Sequence, residues 1–154
     1  MILPYQRIRA WAELGGIDPF DPTLVNPASI DLRIGSRVVA LDMPGGELDC
    51  YTIDLWPGKP ILATTVEFVR LPDDVAGAVY LKSSWARRGL DHALAGWVDP
   101  GFCGQLTLEL HAHRPLTISP GSPVVQLVLM RLGEATEKPY QGRYQNQTGP
   151  TRAR

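Results

Sequence analysis

The chain has 154 residues and is 44% hydrophobic, which is enough to bury one core, so we predict a single domain over residues 1–154. Its 15 basic and 16 acidic residues give a formal net charge of −1, which argues against a surface that wraps nucleic acid. No apolar run approaches the roughly 20 residues of a membrane span, and no signal-peptide pattern is visible. Cys50 and Cys103 are too few for a disulfide framework. We therefore expect a cytoplasmic protein with reduced thiols, bound neither to nucleic acid nor to a membrane.

The first predicted element is a helix from Pro4 to Leu14. Proline suits a first helical turn, Ile8 and Trp11 belong to one apolar stripe, and Gly15-Gly16 would end the helix. The next segment, residues 17–27, is rich in Pro and Asp and is predicted to be a loop.

The rest of the chain shows short strands separated by turn residues. Its 15 glycines and 14 prolines are typical of an all-β sandwich or barrel with many turns. The polar segment 134–154 has little to bury and is predicted to become ordered only against a ligand or a neighbouring subunit. The predicted strands are Ser29–Ile34, Arg37–Asp42, Cys50–Leu55, Pro60–Leu71, Val75–Lys82, Gly104–His111, Leu116–Ile118 and Pro123–Leu132.

Lys82-Ser83-Ser84 follows an apolar strand and opens a short helical turn that includes Arg87 and Arg88. Hydroxyl groups and free backbone N–H groups at a helix start can bind anionic oxygens, and the two arginines add positive charge. An ordinary helix cap with surface charge explains the same residues on local grounds.

Two carboxylates follow in this part of the chain. Asp99 lies in the turn Asp99-Pro100-Gly101, where it could simply cap the turn. Glu109 lies in the middle of a strand, where a lone carboxylate is costly to bury unless it has partners or a task, and exposure to solvent is the alternative. Strict alternation places Leu106, Leu108 and Leu110 on one face of this strand and Gln105, Thr107, Glu109 and His111 on the other.

Metal chemistry has weak support in the sequence. Zinc deaminases use an H-x-E motif and a P-C-x-x-C motif, and neither is present. His111 and His113 share a face with Glu109 and could chelate an ion in a cupin-like site, but the further His and Glu spacing of that motif is missing. We therefore predict a site without zinc.

The segments SSWARRGL (residues 83–90) and AGWVDPGFCGQLTLEL (residues 95–110) resemble the core of the dCTP deaminase family, within the dUTPase-like superfamily. Residues 26–33, 56–59, 139–140 and 143–150 resemble further segments of that family. The resemblance implies a distorted jelly-roll or β-barrel with a short N-terminal helix, and a C-terminal lid at 134–154. It also implies a homotrimer with active sites between subunits and Mg²⁺ held by the substrate phosphates. The chain is shorter than the usual member and is compressed between Asp31 and Trp56.

The resemblance also implies residue roles. Glu109 would move protons between water, the cytosine ring and the departing amine, while Ser83 and Arg87 would hydrogen-bond the reacting water and Glu109. Asp99 would hold the deoxyribose and, in members that cleave the triphosphate, activate water. The implied catalytic set is Glu109, Ser83, Arg87 and Asp99, and the implied substrate-binding set is Lys82, Ser84, Ala95, Trp97, Asp99, Gln126, Tyr140, Arg143 and Gln147.

The implied activity is the hydrolytic deamination of dCTP to dUTP, with a further step to dUMP and pyrophosphate in bifunctional members. Gly96-Trp97 and Gln126 favour the bifunctional branch. Two alternatives remain open: a dUTPase without deaminase activity, and a non-catalytic nucleotide-sensing regulator on the same fold.

Overall fold

One curled antiparallel sheet dominates the computed structural model, which describes residues 1–42, 44–93 and 95–153. Its strand order is β7-β9-β5-β2-β11-β6-β8, with β1 added to β5 and β3 added to β2, while β4 and β10 form a separate pair. The strands are β1 (Ile17–Asp18), β2 (Ile30–Ala40), β3 (Leu48–Asp49), β4 (Ile53–Leu55), β5 (Ile61–Arg70), β6 (Val75–Leu81), β7 (Leu90–His92), β8 (Trp97–Val98), β9 (Cys103–Ala112), β10 (Leu116–Ile118) and β11 (Pro123–Arg131). The helices are α1 (Tyr5–Trp11) and α2 (Ser83–Ala86), with a wide helical turn at Ala12–Gly16 and a 3₁₀ turn at Pro22–Leu24. The predicted all-β class and short N-terminal helix are confirmed.

The core lies on the concave side of the sheet, and β9 illustrates how the sequence creates it. Its residues alternate between buried and half-buried positions, as the alternation of leucines predicts. Leu108 and Leu110 are fully buried, together with Leu32 of β2 and Leu127 of β11. The opposite face of β9 is therefore free to carry polar residues.

Several predicted boundaries were wrong. The helix ends at Trp11, three residues before the predicted end, because Ala12–Gly16 forms a wider helical turn. The side chain of Trp11 donates its Nε1–H to the carbonyl of Arg70 at 3.0 Å. The strands predicted at 29–34 and 37–42 are one strand, β2, which continues through a register shift between Ile34 and Val38.

Other errors concern short elements. Only the second half of the strand predicted at 50–55 is a strand, β4; the strand β3 at Leu48–Asp49 was not predicted and belongs to a different sheet. The segment predicted to be a loop at 17–27 contains the two-residue strand β1, and β7 was not predicted. Two or three residues are too few to show alternation, so β1, β3 and β7 form only because the longer strands β5, β2 and β9 offer them hydrogen bonds. Cys50 and Cys103 are free thiols. None of the described helices is long and apolar enough to cross a bilayer.

A buried ion pair holds the bulged region of β2 and β5. The side chain of Glu67 is fully buried, and its Oε1 accepts from Nε of Arg33 at 2.6 Å. Its Oε2 accepts from the backbone N–H of Arg33 at 2.9 Å. Both carboxylate oxygens therefore have partners, which a buried charge requires.

The C-terminal segment packs against β9 of its own chain, an arrangement that the sequence analysis did not anticipate. Gln147 forms a parallel bridge to Gly104, and the backbone N–H of Gln105 donates to the carbonyl of Gln147 at 3.0 Å. Further along, the side chain of Gln105 accepts from the N–H of Gly149 at 2.8 Å, and Gly149 and Pro150 are buried. Polar groups on the outer face of β9 thus supply partners for a segment that has few apolar residues.

Candidate active site

A cavity of about 460 Å³ lies between β8, β9 and the C-terminal segment. This volume is within the range of small-ligand sites in proteins. The cavity brings together a large part of the predicted site, and we call these residues the cavity group: Ala95, Trp97, Asp99, Glu109, Tyr140 and Gln147.

Glu109 occupies the inner wall of this cavity. It lies on the outer face of β9, opposite Leu62 of β5. The side chain is 35% exposed, but its Oε2 atom is enclosed and has no hydrogen-bond partner among the described residues. Desolvation by burial raises the pKa of this carboxyl above its usual value. A carboxyl group with a raised pKa is suited to general acid–base catalysis.

His92 lies beside Glu109 and was missed by the sequence analysis. The short strand β7 places its Nε2 atom 3.8 Å from Oε2 of Glu109, and this Nε2 is also enclosed without a partner among the described residues. Burial lowers the pKa of His92, which favours the neutral imidazole. Because 3.8 Å is longer than a hydrogen bond, the two atoms are neighbours without a hydrogen bond between them. No periodic pattern surrounds His92 in the sequence, so only the pairing of β7 with β9 reveals it.

Asp99 and Trp97 form the rim of the cavity. Both are exposed, and Nε1–H of Trp97 donates to Oδ1 of Asp99 at 2.9 Å, which fixes the orientation of the carboxylate. Between Ala95 and Trp97 the chain runs against β6: the N–H of Val79 donates to the carbonyl of Gly96 at 2.7 Å. A Cβ atom at position 96 would lie 2.4 Å from the Val79 carbonyl oxygen, so only glycine fits there. At Gly96 the cavity wall is therefore formed by backbone atoms and not by a side chain.

Two residues of the C-terminal segment close the cavity. The backbone N–H of Tyr140 donates to the carbonyl of Pro100 at 2.8 Å, and its ring packs against Phe102 with centroids 5.7 Å apart. The side-chain amide of Gln147 donates to the carbonyl of Gln105 at 2.8 Å, while its Oε1 is enclosed and has no partner among the described residues. Arg143, predicted to belong with them, is exposed and is not part of the described cavity wall.

The remaining predicted site residues lie elsewhere in the chain, around α2 and β11. We call them the α2 group: Lys82, Ser83, Ser84, Arg87 and Gln126. Within the described chain, Ser83 and Arg87 make no contact with Glu109, and none of the α2 group lines the cavity. A single chain therefore presents two separate halves of the predicted site.

Within the α2 group, Lys82 and Gln126 are held by neighbouring strands. Lys82 forms a salt bridge to the buried carboxylate of Asp31, and Asp31 pairs with Gln126 across β2 and β11. The side-chain oxygen of Gln126 accepts from Oγ of Ser29 at 3.2 Å. These two side chains are positioned before any ligand binds.

The other members of the α2 group are exposed. The hydroxyl groups of Ser83 and Ser84 have no hydrogen-bond partner among the described residues, and Arg87 is also exposed. The turn that carries them is anchored by Trp85, whose Nε1–H donates to the carbonyl of Pro123 at 2.9 Å. The α2 group can thus offer hydroxyl groups and positive charge to an anion from a fixed position.

Comparisons with known proteins identify the family of this chain. Residues 46–132 match the family model for dCTP deaminase-like proteins. A dCTP deaminase, dUMP-forming, from Rhodococcus opacus is 40% identical over 98% of this chain and 94% of its own length. The protein of the same name from Mycobacterium leprae is 40% identical over 100% of this chain and 95% of its own length. Both alignments, at 178 and 182 positions, are longer than the 154-residue chain, so these relatives carry residues that it lacks.

Solved structures give the same result. The crystal structure of the 2'-deoxycytidine 5'-triphosphate deaminase from Agrobacterium tumefaciens superposes with a TM-score of 0.73 and 27% identity, covering 86% of this chain and 48% of that one. A dUTPase from the Staphylococcus aureus phage phi11 shares the fold, with a TM-score of 0.53 and 15% identity over 76% of this chain and 85% of its own. By its sequence and its fold, this chain belongs to the dCTP deaminase family.

Proposed function

We propose that this protein is a hydrolytic dCTP deaminase that converts its product further to dUMP. The observation that carries the proposal is the position of Glu109, whose partly desolvated carboxyl faces a ligand-sized cavity with Asp99 at its rim. The relatives named dCTP deaminase, dUMP-forming, support it because they align over nearly the whole chain at 40% identity.

In the first step, water attacks C4 of cytosine. Glu109 takes a proton from this water and passes protons to the ring nitrogen N3 and to the amino group, which leaves as ammonia. The products are dUTP and ammonia, so one water is consumed and the atoms balance. A carboxyl with a raised pKa suits both halves of this transfer, because it accepts a proton and releases it again within one turnover.

In the second step, water attacks the phosphorus atom nearest the deoxyribose and releases pyrophosphate, leaving dUMP. We assign Asp99 to this step and to the hold on the deoxyribose, since it is the other carboxylate among the described residues that line the cavity. Its hydrogen bond from Trp97 keeps one oxygen occupied and leaves the second available.

The α2 group would bind the phosphates and the reacting water, and we propose that it does so from a neighbouring subunit of a homotrimer. The separation of the cavity group from the α2 group within one chain supports this arrangement, because a complete site requires both. Lysine is a point charge and not a bidentate donor, so Ser83, Ser84 and Arg87 would supply the directional contacts to oxygen.

We propose that Mg²⁺ is held by the triphosphate and that no zinc takes part in the chemistry. Mg²⁺ commonly keeps its waters and binds substrate phosphates, while the described residues that line the cavity include two carboxylates and no cluster of metal ligands. The free thiols of Cys50 and Cys103 fit a reducing compartment, and we place the enzyme in the cytoplasm.

Incubation of the purified protein with dCTP and, separately, with dUTP, followed by chromatography of the products, tests this function. Formation of dUMP from both nucleotides supports the bifunctional enzyme. Release of dUTP from dCTP without dUMP would reduce the proposal to a deaminase. Hydrolysis of dUTP alone would indicate a dUTPase, and no turnover of either would indicate a nucleotide-binding regulator.

A further inference from the structure

A second cluster of polar side chains lies outside the cavity, on the outer face of the strand pair β7–β9. Asp91 of β7 pairs with His111 of β9, and His113 follows two residues further on. The Oδ2 atom of Asp91 lies 3.3 Å from Nε2 of His111 and 3.5 Å from Nε2 of His113. The ligand atoms of all three residues lie within 4.8 Å of one another.

The two measured separations are those expected between ligand atoms that share one ion. Zinc binds imidazole nitrogen at about 2.0–2.1 Å and carboxylate oxygen at about 2.0–2.2 Å in tetrahedral geometry. Two such ligands are then about 3.3–3.5 Å apart. The third separation, between the histidines, is at most 4.8 Å and needs only a small rotation of imidazole rings that are 41% and 68% exposed.

The backbone directs these groups toward a common point. The other oxygen of Asp91, Oδ1, accepts from the backbone N–H of His92 at 2.8 Å, which leaves Oδ2 turned toward the histidines. The backbone N–H of His113 donates to the carbonyl of Gly89 at 2.8 Å, so the chain beyond β9 is also fixed. Hydrogen bonds that orient a ligand in this way are typical of metal sites.

We propose that Asp91, His111 and His113 form a binding site for a first-row divalent transition ion such as Zn²⁺, with water completing the coordination. Two imidazole nitrogens and one carboxylate oxygen suit zinc, cobalt or nickel, whereas Mg²⁺ requires an octahedral shell of oxygen. None of the three residues lines the cavity, so this ion is separate from the proposed chemistry at Glu109. Its expected effect is to fasten the short strand β7 to β9.

The direct test is titration of the full-length, chelator-treated protein with ZnCl₂, with CoCl₂ and with MgCl₂. We expect calorimetry to show one Zn²⁺ bound per chain and no comparable binding of Mg²⁺. Cobalt should give a visible absorption band without the near-ultraviolet band of thiolate ligands. The chain has only three histidines, so NMR should show Zn²⁺ shifting the imidazole signals of His111 and His113.

Variants define the site further. Asp91→Asn keeps the Oδ1 acceptor for the His92 N–H, and we expect it and the double variant His111→Gln, His113→Gln to weaken zinc binding by at least about tenfold. Asp54→Asn is a matched control, because Asp54 is an exposed strand carboxylate outside the cluster. Zinc binding that is unchanged in the variants, or wild-type protein whose His111 and His113 signals do not respond to zinc, would overturn the proposal.

Discussion

Glu109 combines two properties that are rarely found on one surface strand: it faces a cavity, and its Oε2 atom is cut off from solvent. Replacement by glutamine keeps the size of the side chain and removes its ability to move protons. General acid–base catalysis contributes about 10²- to 10⁴-fold, so we expect Glu109→Gln to lose dCTP turnover by a factor in that range. Nucleotide binding, measured by calorimetry with dCTP, should change little. A loss of less than about tenfold would remove Glu109 from this role.

The same substitution should stabilise the fold at neutral pH. Burial raises the pKa of Glu109 in the folded protein, so at a pH above that value the ionised carboxyl lowers the free energy of unfolding. At a pH below the usual pKa of glutamate, the carboxyl is neutral in both the folded and the unfolded protein and has no such effect. Glutamine carries no charge at any pH. We therefore expect Glu109→Gln to have a larger free energy of unfolding than wild type near pH 7, with the difference disappearing as pH falls through the raised pKa and below about 4.3.

Denaturant titrations at several pH values check this prediction. A variant that is less stable than wild type at pH 7 would show that Glu109 is satisfied by interactions in the folded state. It would then have a structural role and not one tuned for proton transfer.

The sequence predicted some residues of the cavity and missed others. Alternation on β9 was sufficient to place Glu109 on the polar face, because the leucines between the polar residues must face the core. His92 was not predictable, because its strand has three residues and its burial depends on pairing with β9. The cluster of Asp91 with His111 and His113 was missed for the same reason, although both histidines were noticed.

At the scale of elements, the C-terminal segment decides whether the cavity is closed. Tyr140 and Gln147 line the cavity, and the segment is held along β9 mainly by hydrogen bonds of backbone and side-chain groups, with Tyr140 packed against Phe102. Segments held in this way open more easily than core strands. We infer that residues 134–154 act as a lid over the triphosphate, ordered fully when the nucleotide is bound.

Deletion of the chain from Pro139 onward should therefore leave a folded protein that binds dCTP weakly and turns it over poorly. The strands of the sheet pair with one another and not with the deleted residues, apart from the bridge of Gln147 to Gly104, so we expect circular dichroism and the thermal transition to remain close to those of wild type. Gln147→Ala is a milder companion variant, since it removes one side chain from the cavity and keeps the segment. Full activity of the truncated protein at low dCTP concentration would contradict the role of a lid.

Longer elements were predicted more reliably than short ones. β5, β6, β9 and β11 correspond to strands predicted from their apolar patterns, because each buries a face along its whole length. The joining of two predicted strands into β2 depends on a bulge next to the buried pair Arg33–Glu67. That pair arises from contacts between distant parts of the chain, and local patterns carry no information about it.

In the proposed trimer, a complete site needs Glu109 of one chain and Ser83 of another. Two inactive variants should then complement each other when they assemble together. We expect Glu109→Gln and Ser83→Ala, co-expressed as mixed trimers, to recover about a quarter of wild-type activity, because one pairing in four combines both intact groups. The two proteins purified separately are the control.

Light scattering on the same samples reports the assembly state, which should be trimeric. Mixed trimers that form but remain inactive would contradict a site shared between subunits. An active monomer would contradict it as well.

Identification of the product formed from dCTP tests most directly whether one enzyme takes dCTP to dUMP. Purified wild-type protein and Asp99→Asn are each given dCTP with Mg²⁺, and all nucleotides are followed over time by chromatography. Asparagine keeps the acceptor for the Trp97 N–H but cannot activate water. We expect dUMP and pyrophosphate from wild type, and accumulation of dUTP with Asp99→Asn. Wild-type protein that leaves dCTP intact, or that releases dUTP and never dUMP, would contradict this expectation.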